Sequence, residues 1–598
     1  MGYLLVFAII LTYAITLAIV LNKRIEKVIP ISIVEIVTII FLTGLLDNLQ
    51  LGVFIVELLT IIQLLFILII VIRKYKDNSI GDLVKSVLTP GLLIYTILYV
   101  LAIVINKDRI FEDYDEFNHW AVIVKNMFMY NTYGTNPETI VRFNEYPPFT
   151  AVFQYIFLAL QKAYREDTII IAQNILYFSI IIPVTQNIKW NKTLKRLVTI
   201  VPIIIFLPMI FYKNFYLDIL VDAILGIMFA YTIFAAFGKE ELKFKFFKIL
   251  AGEIMLCLTK TSGIGLALLA MIIIFIKIII DKKENKSIFK KQICAIITLM
   301  LIVITLTSIW YLKVNNAQKR WDFSQYVETE NKTIDDKKEI AQNFASEIFT
   351  RQDLIDGRFT VFNIVLVLIA FQILSIQNIK EKGYKYYSWA MLISIPIYLI
   401  LLLITYMTIF NLSEAQRLTC FDRYSSTILL AYITFQLFVM SKLEIKESRG
   451  RALLIIAIIL ALLPKENIES KYIYGENYIK TAQINREIYT EFVNYKEKLK
   501  PTDKILFIVS IKDNEEYMAS MNRYELMPIK IGKTMVGRFK TQQAFEDIVK
   551  EYTHIYIYRI EEEQKEKIKN FFKYHYIQRD TLYKVNIQNE KLLLEAIL

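Results

Sequence analysis

The sequence has little of what many soluble catalytic folds are built with. Its three cysteines are Cys257 and Cys294, inside apolar runs, and Cys420, beside a polar loop. No two are spaced as a pair, which excludes a disulfide framework or a zinc site built on thiolates. No Gly-rich phosphate loop follows a strand, and Ile531-Gly532-Lys533-Thr534 lacks the upstream glycine of a P-loop. There is no repeat at a solenoid period and no low-complexity tract. The most telling scarcity is of charge along the apolar runs. Uncharged stretches of roughly 16 to 22 residues recur, and about 20 such residues span a bilayer's hydrocarbon core. A chain that is 56% hydrophobic and patterned in this way is a polytopic membrane protein. The net charge of +12 would suggest nucleic acid in a soluble chain. Here the Lys and Arg residues fill short links between apolar runs, so they report topology and give no nucleic-acid surface.

The links alternate in charge. Lys23, Arg24 and Lys27 fill the first and Arg73, Lys74, Lys76 and Lys85 the third, whereas the second, around Asp47-Asn48, has no cation. By the positive-inside rule the first and third links are cytoplasmic, and the loop after the fourth span is external. Spans are expected over 3–21, 30–46, 53–72, 87–105, 168–187, 197–212, 217–237, 246–259, 262–280, 292–312, 361–377, 387–410, 425–440 and 452–463. The segment after Pro147-Pro148 is too short to cross and reads as re-entrant, its start fixed by the prolines. The tally is about 14 spans with both termini outside. From Pro464 the charge rises and the apolar runs shrink to strand length, so a small extracytoplasmic α/β domain is expected over 464–598, with strands near 504–510, 554–559 and 582–587 and a helix over 562–572.

The first sizeable polar loop, 106–147, opens with Asp113-Tyr114-Asp115-Glu116-Phe117-Asn118-His119-Trp120. If the stretch is helical, Asp115, Glu116 and His119 share a face. Such a face suits a proton-transfer group beside a hydroxyl substrate, or equally a surface helix anchored by Phe117 and Trp120. The other polar residues at outer span ends are Glu145, Asp218, Asp222, Lys260, Arg417 and Arg423. Asp222 lies about a turn inside its span, where an unpaired carboxylate is costly. Glu35, Glu57 and Glu253 also lie within spans and have no visible partner in the sequence. A carboxylate base and fixed cations at a membrane surface suit glycosyl transfer from a lipid-phosphate sugar. The base takes the acceptor's proton, and the phosphate leaving group needs cations and no general acid. Arg pairs with phosphate bidentately, while Lys acts as a point charge.

Five short motifs then fall in order. They are Asp115-Glu116 in the first large outer loop, Tyr146-Pro147-Pro148-Phe149 after it, Tyr216-Leu217-Asp218, Thr259-Lys260-Thr261-Ser262-Gly263, and a late Arg423-Tyr424. In this order they resemble the GT-C superfamily of integral-membrane glycosyltransferases, the group of the protein O-mannosyltransferases and the lipid A aminoarabinose transferase. The resemblance covers roughly 87–463, with 1–86 as additional N-terminal helices. It implies a GT-C-like fold and a polyprenyl-phosphate sugar donor, with a glycan, lipid or protein as acceptor. It implies Asp115 and Glu116 as catalytic carboxylates. His119, Glu145, Tyr146, Asp218, Asp222, Lys260, Arg417, Arg423 and Tyr424 are then substrate-binding residues. The family's chemistry is inverting and often metal-independent, yet Asp115, Glu116 and His119 also suit a divalent cation. A lipid-linked glycan polymerase or ligase would place essential Arg and His in a late loop, and the late loops here contain no His. A transporter would carry paired ionisable residues near mid-membrane.

Overall fold

The structure is a computed structural model that describes residues 2–136, 141, 143–282, 286–317, 332–355, 357–379, 381, 383–442, 472, 475–509, 515–535, 541–558, 562, 565–566, 577–578, 580–588 and 591–597. Among the described residues, seven helices are long and apolar enough to cross a membrane: Gly2–Leu21, Leu49–Lys76, Ile80–Asn106, Glu166–Thr185, Thr261–Asp281, Ile288–Asn316 and Tyr384–Thr408. The chain is a polytopic helical membrane protein, but seven such helices stand where about 14 spans were expected. The difference has identifiable causes. Ile29–Gly44, Phe149–Gln161, Leu197–Phe206, Asp222–Ala236 and Val361–Gln377 are apolar but shorter. Leu242–Cys257 carries Lys243, Lys245, Lys248 and Glu253, and Phe421–Met440 opens with Asp422 and Arg423. The expected span over 452–463 lies outside the described residues, as does most of the helix expected over 562–572.

Loop structure also shortens one expected span. The run 217–237 becomes helical only at Asp222, because the chain from Phe211 to Val221 turns repeatedly before it. The Phe149–Gln161 helix, at 13 residues, rises about 20 Å, less than the hydrocarbon core.

Two helices organise the centre of the bundle. Asp222–Ala236 is buried along its whole length and packs on Phe421–Met440. Their close approach depends on Gly226, where an added Cβ would lie 2.3 Å from the Thr427 carbonyl oxygen. No side chain fits there, so the backbones meet one turn beyond Asp222 and one turn beyond Arg423. That contact brings the first residues of both helices together. At the far end, Phe234 and Phe438 stack with centroids 4.7 Å apart. There Lys245 and Lys442 donate to the Ala236 and Phe237 carbonyls, cations at a helix C-terminus where the dipole favours them. Glu240 gathers Lys248 at 2.6 Å and Lys27 at 3.3 Å at the same end. The bundle therefore has an acid-and-arginine end and a lysine end, set apart by the roughly 22 Å length of the Asp222–Ala236 helix.

The C-terminal region folds as five strands, β1 Lys504–Val509, β2 Lys530–Met535, β3 His554–Tyr558, β4 Thr581–Gln588 and β5 Lys591–Ile597, in the order β2-β1-β3-β4-β5. The first three are parallel, and β4 and β5 add antiparallel. Three of the strands sit where the sequence places them. The weak P-loop candidate around Gly532 is part of β2, where its backbone pairs with β1 and is committed to the sheet. The bundle's hydrophobic core extends into this region through Met521, Tyr524 and Met527, so the helix Glu515–Leu526 is shared between the two parts.

Candidate functional site

The acid-and-arginine end is assembled from four separated segments. The first is Asp113–Trp120, where residues 116–120 form one π-helical turn, a widened geometry that often accompanies functional sites. The second is the irregular loop before Asp222. The third is the hairpin at Lys260, which turns tightly because a Cβ on Gly263 would lie 2.1 Å from the Leu256 carbonyl oxygen. The fourth is the first turn of Phe421–Met440.

Arg423 is the hub. Its Nη1 meets Asp115 Oδ2 at 2.6 Å, and its Nε lies 3.1 Å from Asp222 Oδ2. The other oxygen of Asp222 accepts from Lys260 Nζ at 2.9 Å. Lys260 stands over the Tyr424 ring, 5.1 Å from its centroid, and the guanidinium of Arg423 approaches the same ring from 5.3 Å. The Tyr212 hydroxyl donates to the Arg423 carbonyl at 2.7 Å and contacts Thr427 Oγ1 at 3.1 Å, fixing the turn that carries the arginine. Two carboxylates and two cations thus form one network of near-zero net charge. The buried Asp222, whose burial was costly if unpaired, has two cationic partners.

Glu116 and His119 do not join Asp115 on one face, because the π-turn and the neighbouring loop send each side chain elsewhere. Glu116 is buried, and its Oε2 accepts from the backbone N–H of Glu112 and of Asp113, both at 2.8 Å. Its Oε1 accepts from Ile219 N at 3.2 Å. It ties its own loop to the loop before Asp222. Burial, and next the nearby Asp218, push its carboxyl well above the usual carboxylate range. Asp218 sits in that loop, outside the helix, with Oδ1 accepting from Leu220 N at 3.2 Å. Burial and then Asp113 push it up to about 8. Asp113 is raised as well, chiefly by burial, while its Oδ1 accepts from Asp115 N at 2.8 Å.

His119 lies in an aromatic box, edge-on to Trp120, Tyr146 and Phe143 at centroid distances of 4.6, 4.8 and 5.5 Å. Neither ring nitrogen has a hydrogen-bond partner among the described residues. Burial, with Lys260 adding to it, lowers its pKa to about 3, so the ring is neutral at pH 7. Tyr146 stacks on Trp120 at 5.8 Å and on Phe143 at 5.5 Å. Burial pushes its hydroxyl up to about 12. The backbone carbonyl of Glu145 accepts from Trp310 Nε1 at 3.0 Å, which pins the approach to Pro147-Pro148. Arg417, at the exposed end of Leu412–Arg417, forms no ion pair with this network among the described residues. Neither does any group of three or more His, Cys, Asp and Glu side chains among the described residues have the placement to hold a metal ion. Asp115, Glu116 and His119 in particular face apart, toward Arg423, toward backbone N–H groups and into the aromatic box.

The sequence reading did not single out Tyr212, Thr427 or the loop role of Ile219. The only hint was Gly226 one turn after Asp222, a small residue where a close helix contact is possible.

The C-terminal region covers the back of the acidic loop. The Tyr517 hydroxyl donates to the Glu112 carbonyl at 2.8 Å, and Phe117 meets the rings of Tyr517 and Tyr524 at 5.9 and 5.4 Å. Arg486 holds Glu166 through two bonds of 2.6 Å, and also pairs with Glu525. Tyr524 donates to Glu166 at 2.8 Å. A comparison with protein-family models finds no match, and neither does one with curated proteins.

Proposed function

We propose that the protein is a membrane glycosyltransferase that moves a sugar from a polyprenyl-phosphate donor to an acceptor hydroxyl at the outer face of the membrane, in the manner of the GT-C enzymes its motifs resemble. The observation that carries this reading is the single network of Asp115, Arg423, Asp222 and Lys260, which joins residues from four segments of the chain. Asp115 is the base. Its carboxylate takes the acceptor's proton while the acceptor oxygen attacks the anomeric carbon. Arg423 and Lys260 hold the charge that develops on the departing phosphate, and Asp222 fixes both cations in place. Glu116 shapes the loop that presents Asp115. The aromatic box of Trp120, Phe143 and Tyr146 lies beside the network and suits an apolar sugar face or the lipid's first units. The sidedness rests on the charge alternation of the links, which puts the lysine end of the bundle in the cytoplasm.

The test is release of polyprenyl phosphate from a panel of polyprenyl-phosphate sugars by the purified protein in detergent or nanodiscs. Release with at least one donor, abolished in Asp115→Asn, supports the reading. No release with any donor, from protein shown to be folded, overturns it.

A further inference from the structure

Arg423 holds two carboxylates of unequal standing. Asp222 is 5% exposed at its side chain, is shared with Lys260, and begins a helix locked in place at Gly226. Asp115 is 30% exposed, stands at the open edge of the π-helical turn, and meets the Arg423 fork at 2.6 Å. An arginine fork accepts a carboxylate or two phosphate oxygens in much the same geometry. With Asp115 in place, the two cations are already balanced by two carboxylates, so an arriving anion finds no spare positive charge. It must displace one of the carboxylates, and the more exposed one, held by a single cation, costs less to move.

We infer that the phosphate of a lipid-linked donor binds by replacing the Asp115 carboxylate on Arg423, so that donor binding itself releases Asp115 to act as base. The inference rests on the proposed glycosyl transfer and adds an order of events to it. Before the donor arrives, the base is masked by the cation that will hold the leaving group. Once phosphate occupies Arg423, the Asp115 carboxylate is released from its ion pair and is open to the acceptor hydroxyl. In the transfer the acceptor O–H proton passes to Asp115 and the acceptor oxygen bonds to the anomeric carbon. The bond from that carbon to the phosphate oxygen breaks, and its electron pair stays on the phosphate. When polyprenyl phosphate leaves, Asp115 gives its proton to water and returns to Arg423.

The experiment measures binding and needs no turnover. Full-length protein is titrated with a polyprenyl phosphate that carries no sugar, with inorganic phosphate as competitor. Asp115→Asn is expected to bind the lipid phosphate about 3- to 10-fold tighter than wild type, since a partly exposed ion pair no longer has to be broken. Asp115→Ser, which shortens the side chain, is expected to move the affinity the same way, and Arg423→Gln to weaken it at least about 10-fold. Inorganic phosphate is expected to displace the lipid, and to do so at lower concentration from Asp115→Asn. Equal or weaker binding in both Asp115 variants overturns the displacement while leaving the proposed function standing. Lipid binding that ignores both Arg423→Gln and inorganic phosphate places the lipid elsewhere and also overturns the displacement. No binding of lipid phosphate by folded wild-type protein overturns the proposed function itself.

Discussion

Asp115→Asn preserves the outline of the side chain and removes the proton acceptor, which makes it the most discriminating single change. Two losses have to be told apart, that of a base and that of an ion pair. The pair joins a side chain 30% exposed to one 18% exposed. Contacts of that kind contribute about 0 to 1 kcal/mol to stability, so the variant should fold and its thermal midpoint should shift by no more than a few degrees. Loss of a general base costs about 10² to 10⁴ in rate. At 1.36 kcal/mol per decade this is roughly 2.7 to 5.4 kcal/mol of barrier, well above the ion pair's whole contribution. The assay is steady-state transfer measured over a range of donor concentrations, run beside a thermal melt of the same preparation. The expected pattern is a kcat lower by about two to four decades, a melt within a few degrees of wild type, and a donor KM that falls because Arg423 is free to receive phosphate. A kcat within about threefold of wild type in a folded variant would refute the reasoning, because no other carboxylate oxygen in the network is both exposed and free of backbone bonds.

Gly226→Ala forces a Cβ to within 2.3 Å of the Thr427 carbonyl oxygen, so the two central helices must separate; a loss of about 1 to 3 kcal/mol is expected, seen as a lower unfolding midpoint together with lost activity. Arg486→Ala leaves Glu166 and Glu525 without their shared cation, and limited proteolysis should then release the C-terminal region much faster than in wild type. Asp218 has its folded pKa raised to about 8 by burial. Its contribution is therefore fully present below the unfolded value near 3.9 and is lost as pH rises through about 8. Asp218→Asn should accordingly gain in melting temperature over wild type at pH 9 relative to pH 5, and an equal difference at both pH values would show that the carboxyl does not titrate in this range.

Hydropathy made the membrane class and the C-terminal sheet legible, because twenty-residue apolar runs and short β-branched runs each have one common outcome. The span count was less legible, for a physical reason. Hydropathy measures whether a segment tolerates lipid, and helices such as Asp222–Ala236 are apolar because they are enclosed by other helices. A helix hydrophobic all round is equally consistent with a buried bundle core and with a membrane span. The Leu217–Val221 stretch misled in the same way. Apart from Asp218 it is apolar, yet it turns, with Gln173 and Asn174 satisfying the backbone carbonyls of Tyr216, Ile219 and Leu220 from a neighbouring helix.

Part of the network was legible in the sequence, whereas Glu116, His119 and Arg417 face elsewhere. Asp115, Asp222, Lys260, Arg423 and Tyr424 are close together because each sits at an element's start or on a turn at one end of the bundle, which charge alternation along the chain is able to reveal. The division of work between Asp115 and Glu116 depends on something no local pattern encodes. Adjacent residues on a helix point about 100° apart, and the one that faces Arg423 is set by a π-turn and by a loop a hundred residues downstream that offers Ile219 N–H to Glu116. A carboxylate whose two oxygens already accept three backbone N–H groups has little capacity left for a substrate proton. Asp115, whose carboxylate pairs with Arg423 and with no backbone N–H among the described residues, has that capacity. Adjacency serves both: Glu116 ties the π-turn to the loop before Asp222, and Asp115, at the rim of that turn, is left where a ligand can reach it.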